Sequence, residues 1–162
     1  MTVTAEILAT WRDPAGPVGR LVATGPREDR SLAILMAAAV LMFVARAPSL
    51  ARAAQIDPSA PLDARLGITL FAMLFILPLL AYGLALILHL VLRAIGRKGS
   101  ASGARIALFW SLLALSPALL LQGLAEGMVG QTGAVRVLGL LVFAAFLWFL
   151  ARGLATAYPR AE

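Results

Sequence analysis

One histidine, one charged triplet and one basic loop are the residues of this 162-residue chain whose types and spacing could do chemistry. His89 stands near the end of a long apolar run, four residues before Arg93. An ionisable side chain inside an apolar run is a candidate proton or ligand site. Its distance from Arg93, about one helical turn, puts it within reach of water and headgroups, so an interfacial or structural role is the expectation. A lone imidazole builds no metal or haem site without ligands from elsewhere. The triplet Glu28, Asp29, Arg30 opens the first apolar segment. Its two carboxylates would sit at an electropositive helix N-terminus, and it is the densest charge at any entrance to an apolar run.

The stretch 93–105, RAIGRKGSASGAR, carries Arg93, Arg97, Lys98 and Arg105 with three glycines, two serines and no acid. Backbone N–H groups and cations in such a stretch could hold phosphate. The GxxxxGK[ST] spacing of a nucleotide loop is missing. Anionic lipid headgroups are the expected contact. The chain has no cysteine, no HExxH, no GxSxG and no cluster of acids. Convergent acids, bases and nucleophiles are what an enzyme needs, so no catalytic, cofactor or metal site and no enzymatic activity is expected.

Hydrophobic residues make up 61% of the chain and charged residues 14%, against about 45–50% and about 25% in ordinary soluble domains, so an integral membrane protein is expected. The net charge is +6, but the basic residues flank apolar runs, which fits membrane topology better than a nucleic-acid partner. No cleavable leader is evident, because the first apolar core starts only after Arg30.

The elements that would position these residues follow from the apolar runs. Residues 1–30 hold two short amphipathic pieces, 4–11 and 17–23. Trp11 and nearby arginines suggest that they lie on a membrane surface. Four spans are expected at about 31–47, 66–92, 106–124 and 134–157, with a short tail at 158–162. Pro48 is expected to stop the first span, and 48–63 to be a polar connection. The second is 27 residues long and reaches about 40 Å, with Pro78 near its middle. The third contains Ser116 and Pro117, where the serine could satisfy a carbonyl that the proline frees. Residues 123–131 read as a glycine-rich turn, although Gly123 and Gly127 have GxxxG spacing. Ala81/Ala85 and Ala114/Ala118 could let helices approach closely.

With these spans, ten basic residues fall on the side of both termini and four on the other, which places both termini in the cytoplasm. The fold class expected is thus an all-α integral membrane bundle of four helices with an N-terminal interfacial segment.

The segments WRDPAGPVGRLVATGPREDRSLAILM (11–36) and GRKGSASGARIALFWSLLALSPALLL (96–121), with the long second span between them, resemble small bacterial members of the Yip family of membrane proteins, of the alphaproteobacterial kind. The resemblance covers about residues 7–154. It implies a compact helical bundle in the cytoplasmic membrane, and in eukaryotic relatives a role in vesicle trafficking and binding of prenylated small GTPases. The polar N-terminal domain of those relatives is missing here, and four spans stand where five are common. The expected function is a non-enzymatic scaffold or interaction protein of the inner membrane, contacting anionic lipids and possible further membrane subunits. An accessory subunit of a respiratory or photosynthetic complex is the alternative. A small transporter or channel is a third reading, and would need a polar path joining Tyr82, His89 and Ser116.

Overall fold

The computed structural model describes residues 2–159, so Arg160 and most of the tail at 158–162 lie outside the described residues. The described chain is helical throughout. It runs α1 (Val3–Arg12), α2 (Ala15–Ala23), α3 (Glu28–Ile56), α4 (Leu62–Phe71), a π-helical turn (Ala72–Ile76), α5 (Leu77–Ala94), α6 (Ala101–Ala114), α7 (Ser116–Val129) and α8 (Gly133–Ala157). Three rods are long and apolar enough to cross a membrane: Glu28–Ile56, Leu62–Ala94 and Gly133–Ala157. The pair α6–α7 makes a fourth if its 42° bend is counted within one span. This is a helical bundle compatible with a multi-pass membrane protein.

The bundle is organised around α6. Eleven of its fourteen residues are buried, with Ala104, Ala107, Phe109 and Ala114 wholly so. It packs against α1, α2, α3, α5 and α8. Its small residues Ala104, Ala107 and Ala114 let neighbouring helices close on it from several sides. The outer rods do the opposite and turn Leu79, Leu86, Leu140 and Phe143 outward. Wide apolar exteriors of this kind suit helices solvated by hydrocarbon.

Four expectations are corrected by the helix boundaries. Pro48 does not end the first long helix, because α3 continues to Ile56. Proline there forfeits a backbone hydrogen bond, but it is seated against Gly127 of α7. The helix stops instead at Asp57, where the carboxylate accepts from the Ser59 N–H (3.1 Å) and pairs with Arg65 (3.0 Å). Most of the expected turn at 123–131 is the second half of α7, and only Gly130, at φ +74°, and Gln131 lie beyond it. Gly123 and Gly127 face α3, where a Cβ would overlap the Ala45 carbonyl and Pro48. The GxxxG spacing is thus a helix contact, as small residues allow. Arg52 closes this interface by donating to the Met128 carbonyl (3.1 Å) at the end of α7.

The expected third span, 106–124, is two helices that meet at Leu115. Pro117 cannot donate back along α6, and the chain bends there. Ser116 is buried at the bend, while the hydroxyl bond one turn earlier is made by Ser111 to the Ala107 carbonyl (2.7 Å). The basic loop is also shorter than 93–105: Arg93 lies in α5 and Arg105 in α6, leaving 95–100 as the connection. In the second rod, Pro78 lies two residues after the end of the π-helical turn Ala72–Ile76. A π-turn shifts the hydrogen-bond register by one residue just ahead of a residue that cannot donate.

The N-terminal helices are integrated into the bundle. Glu6 pairs with Arg20, so α1 folds back along α2. The Trp11 indole N–H donates to the Ala114 carbonyl (3.1 Å), and its ring meets Phe149 edge-on. Trp110 of α6 donates to the Thr10 hydroxyl (3.0 Å). Val18 is buried and rests on Gly153 of α8, where a Cβ would meet it at 3.3 Å. Trp11 is therefore bonded into α6, where its sequence context suggested a membrane-surface anchor.

Candidate functional site

The end of the bundle formed by the α5–α6 connection gathers most of the residues singled out above. Gly96, at φ +80°, ends α5. Its N–H bonds to the Arg93 carbonyl (3.0 Å), and the Arg97 N–H to that of Leu92 (3.0 Å). This pair of bonds is a Schellman cap, which needs glycine at the left-handed position. Four residues later Ser100 caps α6, its Oγ accepting from the Gly103 N–H (3.0 Å). The loop is thus built at both ends from local chemistry.

Tyr158, just past α8, locks the loop from the other side of the sequence. Its side chain is fully buried. The ring occupies the space a Cβ at Gly99 would need. Its hydroxyl donates to the Ser100 carbonyl (2.7 Å) and lies 2.6 Å from His89 Nδ1. Arg97 donates to the Tyr158 carbonyl (3.1 Å). A phenol has one proton, and the Ser100 carbonyl is only an acceptor. His89 must therefore carry its proton on Nδ1 and donate to the Tyr158 oxygen. Burial pushes the Tyr158 phenol above its ordinary value, which keeps it a neutral donor.

A second cluster lies beside it. Arg105 pairs with Glu28 at 2.5 Å and stands 6.0 Å over the Tyr82 ring, which packs edge-on against Phe109. Arg30 donates to the Thr24 hydroxyl, and Asp29 lies 3.5 Å from Arg27. The triplet is thus split three ways. Glu28 ties α3 to α6, while Asp29 and Arg30 bond locally. Arg93 and Lys98 are exposed and have no carboxylate partner among the described residues. Pro78, Ser116 and Pro117 lie away from this end, in the rods and at the bend.

Tyr82, His89 and Ser116 do not form one polar path. Tyr82 packs on Phe109, His89 bonds Tyr158, and Ser116 is buried at the α6–α7 bend. His89 and Glu28 have separate partners, Tyr158 and Arg105. Among the described residues no three metal-ligating side chains converge. Sequence reading missed Tyr158, Ser100 and Gly99 as parts of this site. Tyr158 lies 69 residues from His89, and no local pattern joins them. Comparison of the chain with protein-family models, with curated proteins and with solved structures finds no match.

Proposed function

We propose that this chain is a non-enzymatic, multi-spanning protein of the bacterial inner membrane, with both termini cytoplasmic, that works as a scaffold or interaction protein through its α5–α6 end. The observation that carries this reading is the interlocked architecture of that end. Its histidine, tyrosine and one arginine are committed to holding the loop, while Arg93 and Lys98 are exposed and have no carboxylate partner among the described residues. A rigid basic face at the end of apolar rods suits anionic headgroups and acidic partners at a cytoplasmic surface. Membership of the Yip family is part of the proposal and rests on residues 11–36 and 96–121. Four spans, with α6–α7 counted as one bent span and α1–α2 packed beside it, complete the topology.

The chain lacks cysteine, so single introduced cysteines report sidedness without background. Lys98→Cys should react with a membrane-impermeant maleimide only in inside-out vesicles, and Ser59→Cys and Gln131→Cys only in intact spheroplasts. The reverse pattern overturns the orientation. Labelling of Ser59→Cys and Gln131→Cys from opposite faces overturns the bent fourth span. Native electrophoresis after extraction in mild detergent tests the role. A stable stoichiometric complex with other subunits would establish the accessory-subunit reading in its place.

A further inference from the structure

The bend between α6 and α7 leaves backbone groups that a continuous helix would pair. Pro117 has no N–H to give the Leu113 carbonyl. The Ala118 N–H would bond the Ala114 carbonyl in an unbroken helix. It donates instead to the Leu115 carbonyl (3.0 Å), where the Leu119 N–H joins it (3.1 Å). The Ala114 carbonyl is thus one of the orphan acceptors at a helix end, on a residue that is wholly buried. Away from water such an acceptor must find its donor inside the protein.

That donor comes from 103 residues away, the indole N–H of Trp11 in α1 (3.1 Å). Phe149 of α8 holds the ring edge-on at 5.1 Å between centroids and so aims the N–H at the bend. The other ties of α1 lie elsewhere: Thr10 meets Trp110, Glu6 pairs with Arg20, and Ile7 is buried. Trp11 remains 43% exposed, so it can be reached from outside without unpacking α6. Beyond the bend, α7 sets Gly123 and Gly127 against α3 and carries Gln122 and Glu126 to the cavity lined by Arg46 and Met73. The angle at Leu115 therefore decides where those groups lie.

We propose that α1 is a latch on a proline hinge. With the Trp11 indole on the Ala114 carbonyl, the pair α6–α7 stays bent at 42°. With the indole withdrawn, the Ala118 N–H takes that carbonyl and the pair straightens toward one continuous helix. Each state pairs the carbonyl once, so the latch works by exchanging one hydrogen bond for another. Movement of α1 is thereby felt at Gln122 and Glu126. This goes beyond the scaffold reading and does not depend on which side of the membrane either end faces.

The test is a spin-label distance measurement on the full chain in lipid nanodiscs. Labels at Lys98→Cys and Met128→Cys, both exposed positions, bracket the bent pair. Labels at Ala134→Cys and Ala155→Cys, exposed on α8, serve as the control. Each arm of the pair has 14 residues and is about 20 Å long, so straightening from 42° lengthens the bracket by up to about 3 Å. Trp11→Phe keeps a ring against Phe149 and removes the N–H. It should move the bracket toward the longer distance and leave the α8 pair unchanged. Pro117→Ala restores the missing donor and should lengthen the bracket with Trp11 in place, and adding Trp11→Phe to it should change nothing further. A bracket unchanged by Trp11→Phe, or lengthened additively by the two substitutions, would overturn the latch. Unfolding midpoints decide the matter independently of the labels. Trp11→Phe should lower the midpoint of the parent chain but not that of Pro117→Ala, because the orphan carbonyl exists only with the proline. An equal drop in both backgrounds would overturn the proposal.

Discussion

At the scale of single residues, the Tyr158 hydroxyl carries more structural consequence than any group in the charged triplet. It joins the end of α8, the 95–100 loop and α5 through two bonds of 2.6 and 2.7 Å. Tyr158→Phe removes both and leaves the Ser100 carbonyl without this donor. A neutral hydrogen bond contributes about 1 kcal/mol net, so a loss of about 1–2 kcal/mol is expected in denaturant unfolding in micelles. A double-mutant cycle with His89→Ala should show coupling of about 1 kcal/mol, because the two side chains act through one contact. The proton assignment is checked separately: the nitrogen-15 spectrum of His89 should show protonated Nδ1. Asp57 gives a pH-dependent prediction. Its bonds with Ser59, and then with Arg65, hold its carboxyl below the usual carboxylate range. A depressed folded-state value means that this stabilisation is complete above the unfolded value of about 3.9 and is lost as pH falls through the lower folded value. Amide exchange in 57–61 should therefore rise, after correction for its intrinsic pH dependence, only below about pH 4.

At the scale of elements, the α3–α7 contact shows how small residues decide a helix pair. Hydrophobic burial drives no helix association in hydrocarbon, so close packing and hydrogen bonds must do it. Gly123 has no room for a Cβ against the Ala45 carbonyl, which is backbone and cannot swing away. Alanine is favoured over glycine inside a helix by about 1 kcal/mol, whereas overpacking costs about 1–3 kcal/mol. Gly123→Ala should therefore destabilise the protein. Gly67→Ala in α4, where a Cβ meets nothing within 4 Å, should instead stabilise it by up to about 1 kcal/mol. Unfolding midpoints of the two variants, measured together, check that the sign follows the contact and not the residue type. Pro48 belongs to the same interface: it fills the space Gly127 leaves, so the helix continues through it.

At the scale of the whole molecule, α1 and α2 complete the enclosure of α6. Deleting residues 2–23 removes the Thr10 hydroxyl from the Trp110 indole and Val18 from Gly153. The indole then loses a hydrogen bond that contributes about 0.5–1.5 kcal/mol net, and the apolar surface beneath α1 and α2 is uncovered with it. The truncated chain should unfold at lower denaturant than the full chain, with increased Trp110 accessibility to an aqueous quencher. An unchanged midpoint would mean that these helices are an appendage. The bundle also has two unlike ends. The α5–α6 end is basic and interlocked. Near the other end, Arg46, Gln122 and Glu126 line a smaller cavity of about 100 Å³ with Met73 of the π-helical turn.

The sequence by itself determined that the chain is helical and made of apolar rods, because composition and run length act locally and need no partner. It also placed α8 to within a residue or two, found the close-packing alanines Ala81 and Ala85, and put His89 near a basic loop. Tertiary structure decided the rest. Whether Pro48 ends a helix, or Gly123 and Gly127 make a turn or an interface, depends on what lies against them. The roles of Trp11 and Tyr158 depend on partners 103 and 69 residues away. Hydrogen bonds and close packing between distant residues leave no periodic trace along the chain.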